Sequence, residues 1–314
     1  MTDTSREWYF IVNPRAGSGK TMSEWVPAEK KLEKLGVPYV TAYTDHKRHA
    51  TALAREAAAE GYRRIAAVGG DGSLHETLTG ICQWCDETGT PASEFTLGVV
   101  PIGSGNDWIK STGVPHDTSD TVSLLAKESF GQMDVVKVRC SGDKVCYMAN
   151  VGGVGFDSHV CQRVNEKKEA GMRGKRIYLN ALYHTILSLA PINIRVVADG
   201  QEVFSGSCYS VALGNGRYSG SGMRQCPAAD LDDGLLDVTI IPRVSLPAIV
   251  PELPRLFNGT LNESKKVVTV RCSSLAIMPM DEEACDIIEV DGEIEGRLPL
   301  SIEMEGRKIG ILKG

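Results

Sequence analysis

The feature that most constrains this chain is a glycine-rich turn, Gly69–Gly72, between two regular segments. An apolar run, Arg64–Val68, precedes the turn, and a segment whose apolar residues repeat at helical spacing follows it. A strand that turns through glycines into a helix presents backbone N–H groups and the positive end of a helix dipole, which together bind phosphate. Glycine also lets the backbone approach a phosphate closely. Asp71 would repel that phosphate unless it holds Mg²⁺ or accepts a proton, so the turn predicts a nucleotide phosphoryl-transfer site.

Two similar turns support this interpretation. Asn13–Lys20 follows the apolar run Tyr9–Val12, and Pro101–Asp107 follows Leu97–Val100. Three successive units of strand, turn and helix predict a parallel sheet whose loops gather at the carboxyl ends of the strands, where open α/β sheets bind ligands. The alternative is a set of tight turns in an α/β domain that binds nothing. Pro14 lacks the N–H that a P-loop needs at its position, which excludes a P-loop ATPase.

Composition narrows the class of protein. A length of 314 residues predicts two domains, and contents of 42% hydrophobic and 24% charged residues are ordinary for a soluble globular protein. The net charge of −6 and the absence of a stripe of aromatic and basic residues argue against nucleic-acid binding. Nine scattered cysteines fit a reducing cytoplasm better than a disulfide framework. The polar start predicts no signal peptide, and no apolar run is long enough to span a membrane.

The chain changes character near residue 132. Up to that point strands alternate with helices. The predicted helices lie near 22–35, 48–60, 74–85 and 118–128. From about Asp134, short β-rich runs separated by Gly, Asp and Pro predict an antiparallel sandwich, with one helical interruption at about 161–190. We therefore expect an α/β domain over residues 1–132 and an all-β sandwich over residues 133–305.

Motifs in a family-specific order cover nearly the whole chain. The first three are Asn13-Pro14, Gly69-Gly70-Asp71-Gly72-Ser73-x-x-Glu76 and Pro101-x-Gly103-Ser104-Gly105-Asn106-Asp107. The others are Asn150–Asp157, Gly214–Tyr218, Asp233–Val238 and Asp291-Gly292-Glu293. In this order they resemble the diacylglycerol kinase catalytic-domain superfamily, specifically its bacterial soluble lipid kinases and their sphingosine and ceramide kinase relatives.

The resemblance implies a fold. The N-terminal domain would be a three-layer, Rossmann-like α/β domain similar to those of phosphofructokinases and NAD kinases. The C-terminal domain would be an all-β sandwich that binds the lipid substrate. The last segment, at about 306–314, would return to the N-terminal domain, and the active site would lie in the cleft between the two domains.

The resemblance also implies an activity, which is transfer of the γ-phosphate of ATP to a lipid hydroxyl with the help of Mg²⁺. Glu293 matches the general base of bacterial members. For Asp71, the chemistry of phosphoryl transfer predicts contact with Mg²⁺, directly or through water, or a share in the role of base. Asp230, Asp233 and the Leu235 carbonyl match a structural Mg²⁺ site. The implied nucleotide-binding residues are Asn13, Thr44, Gly69, Gly70, Asp71, Gly72, Ser73, Gly103, Ser104, Asn106 and Asp107.

Four positions leave the acceptor lipid open between diacylglycerol and a sphingoid base. Ser73 and Ser104 stand where Thr is usual in bacterial members, and both keep a hydroxyl. The histidine at position 75 resembles the pattern of sphingosine kinases and favours a sphingoid base. Asp107, in contrast, is typical of the bacterial diacylglycerol-kinase-like form. Two other functions also stay open. One is an NAD kinase-like soluble-metabolite kinase, which shares the Gly-Gly-Asp-Gly loop, and the other is a non-catalytic lipid or nucleotide sensor.

A soluble kinase of lipids must reach a membrane. The segment Arg163–Arg176 carries six basic and two acidic residues. At about 1 kcal/mol for each basic residue near an anionic surface, this charge supports transient docking and not anchoring. We expect a cytoplasmic protein that binds peripherally to the inner face of the membrane, where it meets its lipid substrate. We also expect a homodimer, which is the commonest form among soluble oligomers.

Overall fold

Most of the chain is described by a computed structural model. It describes residues 4–103, 105–170, 172, 175–188, 190–245, 248, 250–281 and 286–314. The chain forms two units. The first joins Met1–Val135 to Gly306–Gly314, and the second is Val136–Glu305. Each unit has its own sheet.

The first unit is built on a six-stranded sheet. Its strands are β1 (Trp8–Val12), β2 (Tyr39–Tyr43), β3 (Arg64–Gly69), β4 (Thr96–Pro101), β5 (Phe130–Asp134) and β17 (Lys308–Leu312). The order is β2-β1-β3-β4-β17-β5, and every neighbouring pair is parallel except β17 with β5. The residues of β1, β3 and β4 are nearly all buried, as expected for central strands of a parallel sheet whose two faces are covered.

Helices follow the parallel strands. They are α1 (Ala16–Gly19), α2 (Thr21–Leu35), α3 (His49–Ala59), α4 (Asp71–Thr88), α5 (Asp107–Thr112) and α6 (Thr118–Ala126). α3 and α4 pack closely at Gly80, where a Cβ would lie only 2.4 Å from the Thr51 carbonyl oxygen. A left-handed glycine, Gly89, ends α4. The helix predicted over 74–85 is confirmed, and it begins three residues earlier, at Asp71.

The second unit is antiparallel in every described pair of strands. Its strands are β6 (Val136–Arg139), β7 (Val145–Met148), β8 (Val151–Gly155), β9 (Ile192–Ala198), β10 (Gln201–Gly214), β11 (Leu236–Pro242), β12 (Val268–Cys272), β13 (Ser274–Pro279), β14 (Ile287–Val290), β15 (Glu293–Arg297) and β16 (Leu300–Glu303). They pair in the order β15-β14-β8-β10-β9-β13-β16-β6-β7, with β11 joined to β10 and β12 to β11. One apolar cluster that includes Ile194, Val211, Val238 and Ile288 fills the interior of this β sandwich.

In the described ranges of the second unit, helices interrupt the strands at two places. They are α7 (Phe156–Glu169) and α8 (Lys175–Leu187) between β8 and β9, and α9 (Leu253–Asn258) between β11 and β12. Short 3₁₀ helices lie at Thr4–Arg6, Ala92–Glu94, Ser141–Asp143, Val250–Glu252 and Leu261–Glu263. The predicted helical interruption at about 161–190 is therefore two helices, and the first begins at Phe156. Within the described ranges, every helix is too short or too polar to cross a bilayer.

The fold class predicted from the sequence is confirmed: an α/β unit with a parallel sheet is followed by an antiparallel β sandwich. β5 belongs to the first sheet because it pairs with β17. The change of fold in the structure therefore follows Val135, whereas the sequence pattern placed it at residue 133. The returning strand, β17, lies between β4 and β5.

Candidate functional site

Four loops meet at the carboxyl edge of the parallel sheet in the first unit. Asn13 follows β1, Thr44 follows β2, Gly70 follows β3 and Gly103 lies in the loop after β4. The Asn13 N–H donates to the Val68 carbonyl at 3.0 Å, which ties the first loop to the end of β3. This edge thus brings together the three turns and the threonine that the sequence singled out.

Ser73 lies in the first turn of α4 and links it to the loop after β1. The Asn13 side-chain amide donates to the Ser73 hydroxyl at 3.3 Å, and the Asn13 side-chain oxygen accepts the Arg15 N–H at 3.0 Å. A Cβ at Gly69 would lie 2.4 Å from the Ser73 hydroxyl oxygen, so a glycine is required there. Gly69, which the sequence predicts to bind phosphate, is therefore also required because a side chain there would occupy the space of Ser73.

The loop after β4 packs directly against the turn after β3. A Cβ at Gly103 would lie 3.0 Å from the Asn106 side-chain oxygen and 3.5 Å from Gly70 Cα. Asn106 has a left-handed backbone with φ of 47°, is buried, and donates from its side chain to the Gly103 carbonyl at 3.2 Å. The absence of a side chain at Gly103 therefore keeps the two loops in contact. Ser104, a predicted nucleotide contact, lies outside the described residues.

Asp71 is the first residue of α4, with Gly72 next to it, and its carboxylate caps the following helix, α5. It accepts the Asp107 N–H at 3.1 Å and the Trp108 N–H at 3.2 Å. A helix N-terminus stabilises a carboxylate in its charged form. Asp107 itself is buried and pairs with Lys110 at 2.5 Å. The Asp71 carboxylate therefore joins the two glycine loops, and the Asp107 carboxylate pairs with a lysine of its own helix.

Glu293 begins β15 in the second unit and is half-buried. Two residues before it, Asp291 has a left-handed backbone with φ of 52°. Asp291 is 8% exposed, and its carboxylate accepts the Ala149 N–H at 2.9 Å and the Asn150 N–H at 2.8 Å. The hairpin that carries Glu293 is therefore fixed at its turn by a buried carboxylate.

Asn150 connects that hairpin to the loop after β10. Its carbonyl accepts the N–H groups of Asn215 and Gly216 at 2.9 and 2.8 Å. Its side-chain amide donates to the Tyr218 carbonyl at 2.8 Å. Three motifs that are far apart in the sequence, those beginning at Asn150, at Gly214 and at Asp291, are therefore joined around one buried residue.

The residues predicted to hold a structural Mg²⁺ come just before β11. Asp233 accepts the Leu235 N–H at 3.0 Å with one carboxylate oxygen and pairs with the Arg271 guanidinium through the other. Arg271 also donates to Asp237 at 3.1 Å, its direct partner across β11 and β12. Asp230 is exposed. Because Arg271 already supplies a positive charge at Asp233, the residues as arranged do not fit a Mg²⁺ site, which needs carboxylate oxygens that are open to the ion.

Two family models match the chain. The one described as "Diacylglycerol kinase catalytic domain" matches residues 7–138. The one described as "YegS C-terminal NAD kinase beta sandwich-like domain" matches residues 150–313, which is more than half of the chain. The chain belongs to the diacylglycerol kinase and YegS family.

Named relatives and a solved structure agree with this family. The chain is 30% identical over 293 residues to a "Probable lipid kinase YegS-like" protein of Xanthomonas oryzae pv. oryzae, and the match covers 92% of this chain and 90% of that protein. It is 26% identical over 306 residues to a "Diacylglycerol kinase" of Mycobacterium tuberculosis, covering 96% and 94%. A crystal structure of a diacylglycerol kinase from Bacillus anthracis has a TM-score of 0.73 at 21% identity, covering 98% of this chain and 97% of that one, which shows the shared fold. At the level of the family, the protein is a lipid kinase.

One acid of the lipid kinase motif, Glu76, has a role that the sequence did not predict. It lies in α4, and its carboxylate accepts the N–H groups of Arg48 and Ala50 at 3.0 and 3.2 Å. Its carbonyl also accepts the Thr51 hydroxyl at 3.0 Å. Glu76 thus caps the start of α3. Nothing in the local sequence signals this, because the capped residues lie more than twenty positions earlier.

A half-buried carboxyl group, Asp157, is a second feature of this lipid kinase that the sequence analysis did not single out. The Ser210 hydroxyl donates to it at 2.5 Å and the Gln225 amide at 2.6 Å. Burial raises the pKa of Asp157 above its ordinary value, although both hydrogen bonds oppose that shift. The sequence could have pointed to Asp157 through its position at the end of the motif that begins at Asn150.

Proposed function

We propose that this lipid kinase transfers the γ-phosphoryl group of ATP to a hydroxyl of diacylglycerol, and that ATP arrives as its Mg²⁺ complex. The observation that carries the proposal is the carboxyl edge of the parallel sheet, where the Gly69–Ser73 turn opens α4 beside Asn13 and the Gly103 loop. Backbone N–H groups at a helix N-terminus and the helix dipole favour phosphate at such an edge.

Asp71 and Glu293 take different parts in the proposed reaction. Asp71, whose carboxylate accepts two N–H groups at the start of α5, would contact the Mg²⁺ that arrives with ATP, directly or through water. Glu293 accepts the proton of the lipid hydroxyl as that oxygen attacks the γ-phosphorus. The new oxygen–phosphorus bond forms while the bond from the γ-phosphorus to the bridging oxygen of ADP breaks, and ADP leaves with that electron pair.

Diacylglycerol is the acceptor that we favour. The relative from Mycobacterium tuberculosis is named a diacylglycerol kinase. Asp107, the residue typical of that form, is built into the start of α5. His75, which favoured a sphingoid base, is 3% exposed within α4, so its side chain offers little surface to a substrate.

The proposed lipid substrate requires contact with a membrane surface, and α7 supplies part of the predicted basic segment. Lys168 on this helix is exposed, and Arg163 is half-buried and donates to the Ser188 hydroxyl at 3.0 Å. Lys167 pairs with Asn180 on α8. The structure does not describe the side chains of Arg173, Lys175 and Arg176. We propose transient, peripheral binding through this helix, and the homodimer stays a prediction.

The experiment is transfer of labelled γ-phosphate from Mg²⁺-ATP to a panel of diacylglycerol, sphingosine, ceramide and NAD. We expect labelled phosphatidic acid. Labelled sphingosine phosphate or ceramide phosphate would change the acceptor class, and labelled NADP would contradict a lipid kinase. No product from any acceptor would favour a sensor.

A pair of matched variants tests the phosphate site in the same assay. Asp71→Asn removes one charge and keeps the shape of the side chain, and we expect it to lower kcat. Asp120→Asn makes the same change at an exposed position of the same unit, in the first turn of α6, and should leave kcat unchanged. Equal kcat values for the two variants would contradict the role given to Asp71.

A further inference from the structure

A cluster of three metal-ligating side chains lies outside the residues assigned above. Asp45, His46 and His49 lie between the end of β2 and the first residue of α3, and their ligand atoms all lie within 4.8 Å of one another. In the part of the chain that the structure describes, no other group of three or more His, Cys, Asp or Glu residues is arranged in this way. We propose that these three residues bind a divalent transition-metal ion such as Zn²⁺.

The donor atoms of the cluster converge on one point. His49 Nδ1 lies 2.8 Å from Asp45 Oδ1, and His46 Nδ1 contacts the same oxygen. The two imidazole rings stack, with centroids 4.5 Å apart and planes 13° apart. Both rings therefore turn the same nitrogen toward one carboxylate oxygen, and a single ion at this point gains three ligands from a segment of five residues.

Two contacts compete for His49 Nδ1. Asp45 Oδ1 lies 2.8 Å from it, and the Asp45 backbone nitrogen lies 3.2 Å from it. A carboxylate oxygen only accepts hydrogen bonds, so the shorter contact places a proton on Nδ1. Metal ions bind neutral imidazole through a lone pair and release protons when they bind. Coordination at Nδ1 would therefore replace this proton with a bond to the ion.

The ligand set selects the class of ion. Two imidazoles with a carboxylate suit Zn²⁺, Co²⁺ and Ni²⁺, whereas Mg²⁺ and Ca²⁺ prefer oxygen ligands. The side chains of Asp45 and His46 are 74% and 67% exposed, so the ion can enter from solvent. A water molecule would complete the tetrahedral shell, as in zinc sites with three protein ligands.

Both ends of the ligand-bearing segment are anchored. The Thr44 N–H donates to the Val12 carbonyl at 2.9 Å, which extends the β1–β2 ladder to the residue before Asp45. At the other end, the Glu76 carboxylate accepts the Ala50 N–H, directly after His49. Of the three ligands, only His49 lies in a regular element, as the first residue of α3, so these two anchors hold the ends of a short loop. The segment directly follows Thr44, one of the residues implied in nucleotide binding, so the test below is made without nucleotide.

The test is calorimetric titration of the metal-free protein with Zn²⁺ in the absence of nucleotide, with Mg²⁺ as the contrasting ion. We expect one saturable Zn²⁺ site and no Mg²⁺ binding at it. His46→Ala and His49→Ala should each weaken Zn²⁺ binding by about tenfold or more, because even loss of a residue that only supports a ligand costs 10–100-fold. His116→Ala removes an exposed histidine of the same unit and should leave the affinity unchanged.

A second measurement separates this site from binding by cysteine. The chain has nine cysteines and six histidines. In proton–nitrogen correlation spectra, Zn²⁺ should shift the Nδ1 signals of two histidines, and Co²⁺ should give no strong thiolate charge-transfer band. Absence of saturable Zn²⁺ binding, unchanged affinity in both histidine variants, or a thiolate band would each overturn the proposal. Circular dichroism checks that the variants fold. His49→Ala places a good helix former at the first residue of α3, and His46 lies in the loop before that helix.

Discussion

Replacing Asp291 tests how the hairpin that carries Glu293 is held. Asp291 is 8% exposed, and its carboxylate accepts two backbone N–H groups at 2.9 and 2.8 Å. Asp291→Ala leaves both groups buried without this acceptor. A hydrogen bond to a charged group contributes about 1.5–3 kcal/mol, so two bonds at the lower figure give a loss of about 3 kcal/mol. In a unit of this size, that loss should lower the Tm by roughly 6–12 °C.

Asp199 provides a matched control in the same unit. It also precedes a glycine in a hairpin turn, has a left-handed backbone with φ of 47°, and accepts two consecutive backbone N–H groups, those of Ser273 and Ser274, at 3.0 and 2.9 Å. Unlike Asp291, it is exposed. Because water can replace an exposed acceptor, Asp199→Ala should lower the Tm much less and leave phosphate transfer unchanged.

Two assays follow the Asp291 variants beside thermal unfolding. Hydrogen exchange at the amides of Ala149 and Asn150 should speed up in Asp291→Ala. The kcat for phosphate transfer should fall while the KM for ATP stays constant, because the turn holds the proposed base and not the nucleotide loops. Asp291→Asn keeps one oxygen acceptor and should recover part of each loss. Equal losses of stability and kcat in Asp291→Ala and Asp199→Ala would refute the reasoning.

Three further predictions concern groups outside that turn. Arg271→Met should lower the Tm, because it leaves Asp233 and the buried Asp237 without their guanidinium partner; an unchanged Tm would contradict the ion-pair account. Glu76→Ala should destabilise the first unit by about 1 kcal/mol, the usual size of a lost helix cap, and equal amide exchange in the first turn of α3 would argue against the cap. His159 lies 3.0 Å from Asp286, and that hydrogen bond raises the pKa of His159 above 6.5. A raised pKa adds stability that is complete below pH 6.5 and is lost as the pH rises through the folded value, so unfolding measurements on Asp286→Asn should show a smaller fall over that window than the wild type.

The parallel sheet could be predicted because its central strands consist mainly of apolar residues and are followed by glycine turns. Arg64–Val68 and Leu97–Val100 fall in β3 and β4, and both strands are buried almost throughout. The start of α4 was placed too late, because Asp71, Gly72 and Ser73 are as typical of a loop as of a first helical turn. Apolar periodicity only begins at Leu74.

The partners of the site residues could not be predicted, because they are set by tertiary packing. Asp71 caps Trp108, which is 37 residues away, and Arg271 pairs with Asp233, which is 38 residues away. The sequence marked Asp71 and Asp233 as acids suited to metal or proton chemistry. It carried no signal that one would cap a helix and that the other would bind an arginine, since neither pattern is local.

The most direct test of the central claim is the rate of phosphatidic acid formation from labelled Mg²⁺-ATP and diacylglycerol in mixed micelles, for the wild type, Glu293→Gln and Glu303→Gln. Glu303 is an exposed glutamate in β16 of the same unit, so the control makes the same chemical change away from the proposed base. We predict labelled lipid from the wild type and from Glu303→Gln, and a rate about 10²–10⁴-fold lower from Glu293→Gln, the usual loss on removing a general base. No labelled lipid from the wild type would contradict the kinase activity, and a wild-type rate from Glu293→Gln would contradict its proposed mechanism.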